Sequence, residues 1–201
     1  MGQAQRDEAQ GLGQTMGEIQ DICVFCGSSK GNDPIHAEAA QALGQAMARR
    51  GLGLVYGAGN IGLMGVLADA VLAGGGRAVG VIPEKLVDRE LAHDGLNELL
   101  VVETMHERKA KMHELSDAYI SLPGGIGTME EFFEAVTWRQ LDYHAKPIAL
   151  LNVDGFYDGI EQFFDTMIST GFLRPKHSEL FFSETDPNRL LDRLGCAGAE
   201  K

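Results

Sequence analysis

Positive charge is scarce in this chain. Lysine and arginine number 17 against 29 aspartates and glutamates, a formal net charge of −12 over 201 residues. A phosphate backbone has to meet a basic surface, so no nucleic-acid partner is expected. Long apolar runs are missing as well. Nothing approaches the roughly 18 uninterrupted apolar residues of a membrane span, so no membrane association is expected. Residues 1–18 are polar and lack the apolar core of a secretory signal; they read as a flexible tail. Cysteine occurs three times, at Cys23, Cys26 and Cys196. That is too few for a disulfide framework and fits a reducing, cytoplasmic setting. Cys23 and Cys26 have C-x-x-C spacing, but no second pair completes a four-ligand zinc site. Residues three apart on a strand also point to opposite faces. Both are therefore expected to be buried structural thiols.

Glycine, by contrast, is plentiful: 26 residues, about twice the usual ~7%. The glycines gather in short loops that follow apolar runs, which points to contact between backbone and ligand. The apolar runs 22–25, 52–56, 78–82, 99–102, 118–122 and 148–151 read as six strands. Between them lie helical patterns: one from Pro34 with Asn32 or Asp33 as cap, then 63–72, 105–115, about 126–143, 157–170 and 188–194. The stretch after Arg174 is less regular. Strand–helix alternation of this kind predicts an α/β, Rossmann-like open parallel sheet with helices on both faces. The length suits one domain, over 19–195, with 196–201 as a C-terminal tail. Such sheets bind ligands beyond the carboxyl ends of their strands. Loops 27–31, 57–62 and 123–128 lie there.

Gly57-x-Gly59-x-x-Gly62 matches the dinucleotide fingerprint, yet it follows the second strand, not the first, and Glu84 is only a passable ribose ligand. Close strand–helix packing, or a nucleotide-contacting loop without redox chemistry, competes with a nicotinamide or flavin cofactor. Pro123-Gly124-Gly125-Ile126-Gly127-Thr128-Met129-Glu130-Glu131 is more specific. Its glycines allow close backbone approach, and the helix start it opens suits a phosphate. Glu130 and Glu131 would at minimum complement the helix dipole. Arg108 and Lys109 open a helix at the same end of the sheet, in a basic island that could also be a solvated face of Glu–Lys pairs. His106 and His113 lie two turns apart but have no third ligand at fitting spacing, so no metal is expected. Trp138, Phe132, Phe133 and Met64 could line an apolar pocket or serve as packing. Ser28 and Ser29 could bond a nucleotide or cap a turn.

Met105-His106-Glu107-Arg108-Lys109 followed by Pro123-Gly124-Gly125-Ile126-Gly127-Thr128-x-x-Glu131 resembles the LOG (Lonely Guy) family of cytokinin riboside 5′-monophosphate phosphoribohydrolases. The similarity runs from about Ile22 to Leu173. It includes Cys26-Gly27-Ser28-Ser29, Tyr56-Gly57-Ala58-Gly59, Thr137-Trp138 and Leu151-Asn152-Val153-Asp154-Gly155. Family members are often labelled lysine decarboxylases, but no lysine-bearing pyridoxal phosphate site is evident here. The resemblance implies hydrolysis of an N6-substituted adenosine 5′-monophosphate to free base and ribose 5-phosphate, without metal or organic cofactor; plain AMP is the alternative substrate. It assigns phosphate binding to Gly125, Gly127 and Thr128 and the catalytic pair to Arg108 and Glu131. Nucleotide contacts fall on Glu90, Lys109, Ile126, Met129, Glu130 and Thr137. It also implies a homodimer or larger homo-oligomer. A molybdenum cofactor carrier, sharing the fold and a related glycine loop without turnover, is the alternative.

Helical spacing places Glu130 about 100° from Glu131, so the two cannot serve one atom equally. Glu131 is expected to stabilise the developing ribose cation, and Glu130 with Thr137 to contact substrate.

Overall fold

The computed structural model describes residues 18–87 and 91–196. Seven strands form one sheet: β1 (Asp21–Phe25), β2 (Gly53–Tyr56), β3 (Ala78–Pro83), β4 (Glu98–Val102), β5 (Ala118–Ser121), β6 (Ile148–Leu151) and β7 (Phe182–Glu184). Every pairing is parallel, in the order β4-β3-β2-β1-β5-β6-β7. Six α-helices are described: α1 (Pro34–Arg49), α2 (Gly62–Ala73), α3 (Met105–Glu114), α4 (Ile126–Gln140), α5 (Asp158–Ser169) and α6 (Pro187–Leu194). None is long and apolar enough to cross a membrane.

The inner strands β1, β2, β3, β5 and β6 are almost wholly apolar and buried because both faces of the sheet are covered there, whereas the edge strands β4 and β7 carry Glu98, Ser183 and Glu184 and are only partly covered. In β1, Ile22 and Val24 join a core with Leu43 of α1, Leu67 of α2 and Leu190 of α6. Cys23 and Phe25 face the other way, into a core with Met112 of α3, Phe132 of α4 and Phe164 of α5. Each large apolar side chain fully buried this way contributes about 1.5–3 kcal/mol. Cys23 and Cys26 fall in opposite cores, as strand alternation requires, and all three cysteines are buried and free.

The six expected strands are present, and a seventh was missed. β7 has only three residues, all half-buried at the sheet edge, too short for an alternation signal. Asp33 is the α1 cap, its carboxylate accepting from the Ile35 amide at 3.0 Å. Most of the proposed N-terminal tail and all but Cys196 of the C-terminal one lie outside the described residues.

The strand order reverses between β1 and β5. Chain direction along the sheet switches there, so the loops leaving these two strands diverge and leave a crevice between them, where open α/β sheets bind ligands. The glycine loop at 124–128 leaves β5 on one side of that crevice.

Candidate active site

Two hydrogen bonds hold the crevice loops in place. The Gly27 amide donates to the Pro123 carbonyl at 3.1 Å, and the Leu63 amide to the Gly27 carbonyl at 3.0 Å. Beneath them the buried Tyr157 hydroxyl donates to the Leu122 carbonyl at 2.6 Å. Asn152 sets Tyr157 in turn, accepting from its amide at 2.8 Å and donating to Asp158 at 2.7 Å. The Leu151–Gly155 segment is thus a buttress for the β5 loop. Nothing in its composition signals that role.

Arg108 is fixed by its helix start. Thr104 caps α3 by accepting from the Glu107 amide at 3.1 Å, and the Glu107 carboxylate accepts from the Glu103 amide at 2.9 Å. This is a capping-box variant in which the glutamate bonds the amide of the residue before the cap, and it sets Arg108 at the end of the first turn. The arginine is 5% exposed and donates from Nη2 to the Gly57 carbonyl at 3.2 Å. Gly57 makes that seat possible: a Cβ there would lie 1.8 Å from Nη2. Gly62, at φ +67°, has the Ser28 backbone within 2.2 Å of where its Cβ would be. Gly57 and Gly62 of the dinucleotide-like pattern are thus required by internal packing, one of them to seat the arginine.

Glu131 rises from the second turn of α4. Gly125 is the N-cap of that helix, and no side chain caps it, so the first-turn amides lack side-chain acceptors. Thr128 is buried against Gly124, where a Cβ would come 2.1 Å from the threonine hydroxyl. At Gly125 and Gly127 a Cβ would meet no atom within 4 Å. The fold does not demand glycine at those two positions; close approach of a ligand would.

These groups line one cleft of about 260 Å³. Arg108, Glu131, Gly125, Ile126, Gly127 and Thr128 all border it, together with Ser28, Gly57 and Met64. Cys26 also borders it; burial first, and then the Glu131 carboxylate, push its thiol pKa well up. It is therefore a protonated thiol rather than a nucleophile.

A family model described as "Possible lysine decarboxylase" matches residues 64–194. The chain is 47% identical over 173 residues to a probable cytokinin riboside 5′-monophosphate phosphoribohydrolase of Oryza sativa subsp. japonica, covering 86% of this chain and 76% of that protein. It is 44% identical over 181 residues to a cytokinin riboside 5′-monophosphate phosphoribohydrolase of Arabidopsis thaliana, covering 90% of this chain and 85% of that protein. The chain belongs to the LOG family. The molybdenum cofactor carrier protein of Chlamydomonas reinhardtii shares the fold, with a TM-score of 0.68 at 19% identity over 89% of this chain and 99% of that one.

Of the other expected site residues of this LOG-family chain, Lys109, Met129, Glu130 and Thr137 do not border the cleft. Lys109 is 11% exposed along its side chain and bound to Glu130 at 2.5 Å and Glu134 at 2.7 Å. Burial alone would lower its pKa, but the two carboxylates hold it above the usual lysine value. Glu130 and Lys109 are thus bonded to each other, and Glu134 was not foreseen. Met129 is half-buried against the α3–α5 core. Thr137 is exposed and its hydroxyl donates to the Phe133 carbonyl at 2.6 Å. Glu90 lies outside the described residues. Phe132 and Phe133 pack with one another and with Phe164. Trp138 instead borders a small cavity that also touches Glu131, Lys109 and Met112. Ser29 caps its own turn, accepting from the Gly31 amide at 3.3 Å. Among the described residues no three His, Cys, Asp or Glu side chains cluster to hold a metal ion.

Proposed function

We propose that this chain hydrolyses the N-glycosidic bond of N6-substituted adenosine 5′-monophosphates, releasing free base and ribose 5-phosphate. One arrangement carries it: a guanidinium and a carboxylate border the same cleft as an uncapped helix start with unoccluded glycines. The 44–47% identity to proteins named for this reaction supports it.

Glycosidic cleavage passes through an oxocarbenium-like transition state. The Glu131 carboxylate stabilises the positive charge growing on the ribose and orients or deprotonates the attacking water. Arg108 offsets the negative charge growing on the departing base. Its guanidinium acts as a planar cation and hydrogen-bond donor. Gly125, Gly127 and Thr128 hold the 5′-phosphate at the α4 dipole. Binding energy from this remote group orients the sugar, so a riboside without phosphate loses rate as well as affinity. Ile126, at the exposed lip of the cleft, contacts the nucleotide; for Lys109, Met129, Glu130, Thr137 and Glu90 the family resemblance alone supports a role in its recognition. No cofactor enters the reaction.

A carrier that only stores a phosphate-bearing pterin has no use for a buried arginine and a carboxylate bordering one cleft, which favours turnover. Incubating the protein with isopentenyladenosine 5′-monophosphate, its riboside and AMP, and following free base by chromatography, tests the assignment. Release from monophosphates is expected. No release from any of them overturns it.

The enzyme works as a homodimer or larger homo-oligomer in a reducing cytoplasm. Large apolar side chains left exposed, among them Ile126, Tyr143 and Phe172, and three free cysteines support this. Sedimentation velocity showing a monomer at working concentration would refute the assembly.

A further inference from the structure

A second cavity, of about 240 Å³, opens beside the catalytic cleft and shares Gly27, Ser28 and Gly125 with it. Its polar wall comes from the β1–α1 loop and the first turn of α1: Ser28, Ser29, Lys30 and His36. No carboxylate lines it. That is unusual in a chain of net charge −12, and it makes this the part of the crevice with a lysine, an imidazole and hydroxyls but no opposing acid.

His36 is held there by shape. Its ring meets Phe156 edge-on at 6.1 Å. Gly31, at φ +75°, leaves just enough room, since a Cβ there would fall 2.9 Å from His36 Cδ2. Among the described residues the His36 Nδ1 is buried without a hydrogen-bond partner. A buried polar atom left unpaired is costly, so its persistence calls for an explanation. Packing fixes the ring plane but leaves Nδ1 uncommitted to the protein. Lys30 is exposed at the mouth and adds a mobile ammonium.

We infer that Lys30 and His36 are substrate-binding residues for the 5′-phosphate. The phosphate sits over the Gly124–Gly125 turn, reached from one side by the α4 amides and from the other by the lysine and the imidazole. This rests on the hydrolase reading above and goes beyond it, because the binding groups so far assigned are neutral amides and one hydroxyl. A dianionic phosphate entering an acidic protein needs a local cation, and Arg108 is already engaged by the Gly57 carbonyl.

Lys30→Met and His36→Phe test the inference. Lys30 is exposed, and phenylalanine keeps the ring contact with Phe156. Binding of inorganic phosphate is measured by calorimetry on the full chain, without reliance on turnover. Loss of a charge-assisted bond predicts affinity weakened about tenfold in each variant. The KM for isopentenyladenosine 5′-monophosphate should rise by a similar factor, and AMP should displace phosphate from the unmodified protein. Unchanged phosphate affinity in both variants overturns the inference, as does phosphate that stays bound under saturating AMP. If no nucleotide releases base but both variants lose phosphate, the hydrolase reading falls and the anion subsite stands. If turnover is normal and phosphate affinity unchanged, the subsite alone falls.

Discussion

Gly57→Ala should disable the enzyme while leaving its fold intact. The new methyl would lie 1.8 Å from Arg108 Nη2 and 3.0 Å from Cζ, where ordinary contact begins at 3.4 Å. The guanidinium must therefore retreat by at least about 1.6 Å. Gly57 does not have a positive φ, so alanine fits the backbone, and the flexible arginine tip yields before the strand does. Misplacing a reacting group by 1 Å costs on the order of a hundredfold in rate, equivalent to about 2.7 kcal/mol of transition-state stabilisation. A fall of about a hundredfold or more in kcat/KM is expected. The bond to the Gly57 carbonyl is lost as well; at about 1 kcal/mol net, Tm should drop by only about 2–4 °C for a chain of this size. Base release from the monophosphate, run beside thermal unfolding, separates the two quantities. Activity within about threefold of the parent would refute the reasoning. So would a collapse of Tm, because the strand rather than the arginine would then be giving way.

Glu131→Gln should lose at least about a hundredfold in kcat with an unchanged melting curve; near-parental turnover removes it from the chemistry. Gly125→Ala has open space for its methyl, so stability should hold or rise by about 0.4–1 kcal/mol while nucleotide binding weakens; unaltered KM would mean that no ligand approaches that atom. Burial first, then Lys146 and His144, lower the His113 pKa to about 4 from 6.5. The unfolded imidazole takes up a proton that the folded one refuses, so this stability is complete above pH 6.5 and is lost as pH falls towards 4. His113→Gln should flatten Tm against pH across that window, and an identical slope would sink the assignment. Thiol reagents should find Cys23, Cys26 and Cys196 only after denaturation, since all three are buried with raised pKa values; rapid labelling of the folded protein would contradict this.

The two faces of the sheet were legible because the inner strands β1, β2, β3, β5 and β6 are nearly continuous apolar runs, a pattern that double coverage sustains. The Arg108 and Glu131 segments were legible as spacing. Their shared cleft was not, because it depends on the strand order reversing between β1 and β5, and no local signal encodes which strand lies beside β1. Tyr157 escaped notice for a similar reason. Its hydroxyl reaches a carbonyl 35 residues away, and a tyrosine at the start of a helix reads as ordinary packing. Lys109 and Glu130 looked like independent ligand contacts. Their pairing through 21 residues of chain, with Glu134 one turn further along, became visible only once α3 and α4 lay side by side.

The glycine-rich pattern after β2 shows how one spacing can serve two physical needs. In a dinucleotide site such glycines let backbone approach a pyrophosphate. Here Gly62 lets the Ser28 backbone approach, and Gly57 lets a buried cation approach. Both needs reduce to the removal of a Cβ at the carboxyl end of a parallel strand, so sequence spacing cannot tell them apart. What separates them is the source of the incoming group. An arginine from α3, held by the Thr104–Glu107 capping box, fills the space that a pyrophosphate would otherwise enter. The same substitution therefore discriminates: alanine at a ligand-facing glycine raises KM first, whereas alanine at Gly57 displaces Arg108 and must lower kcat.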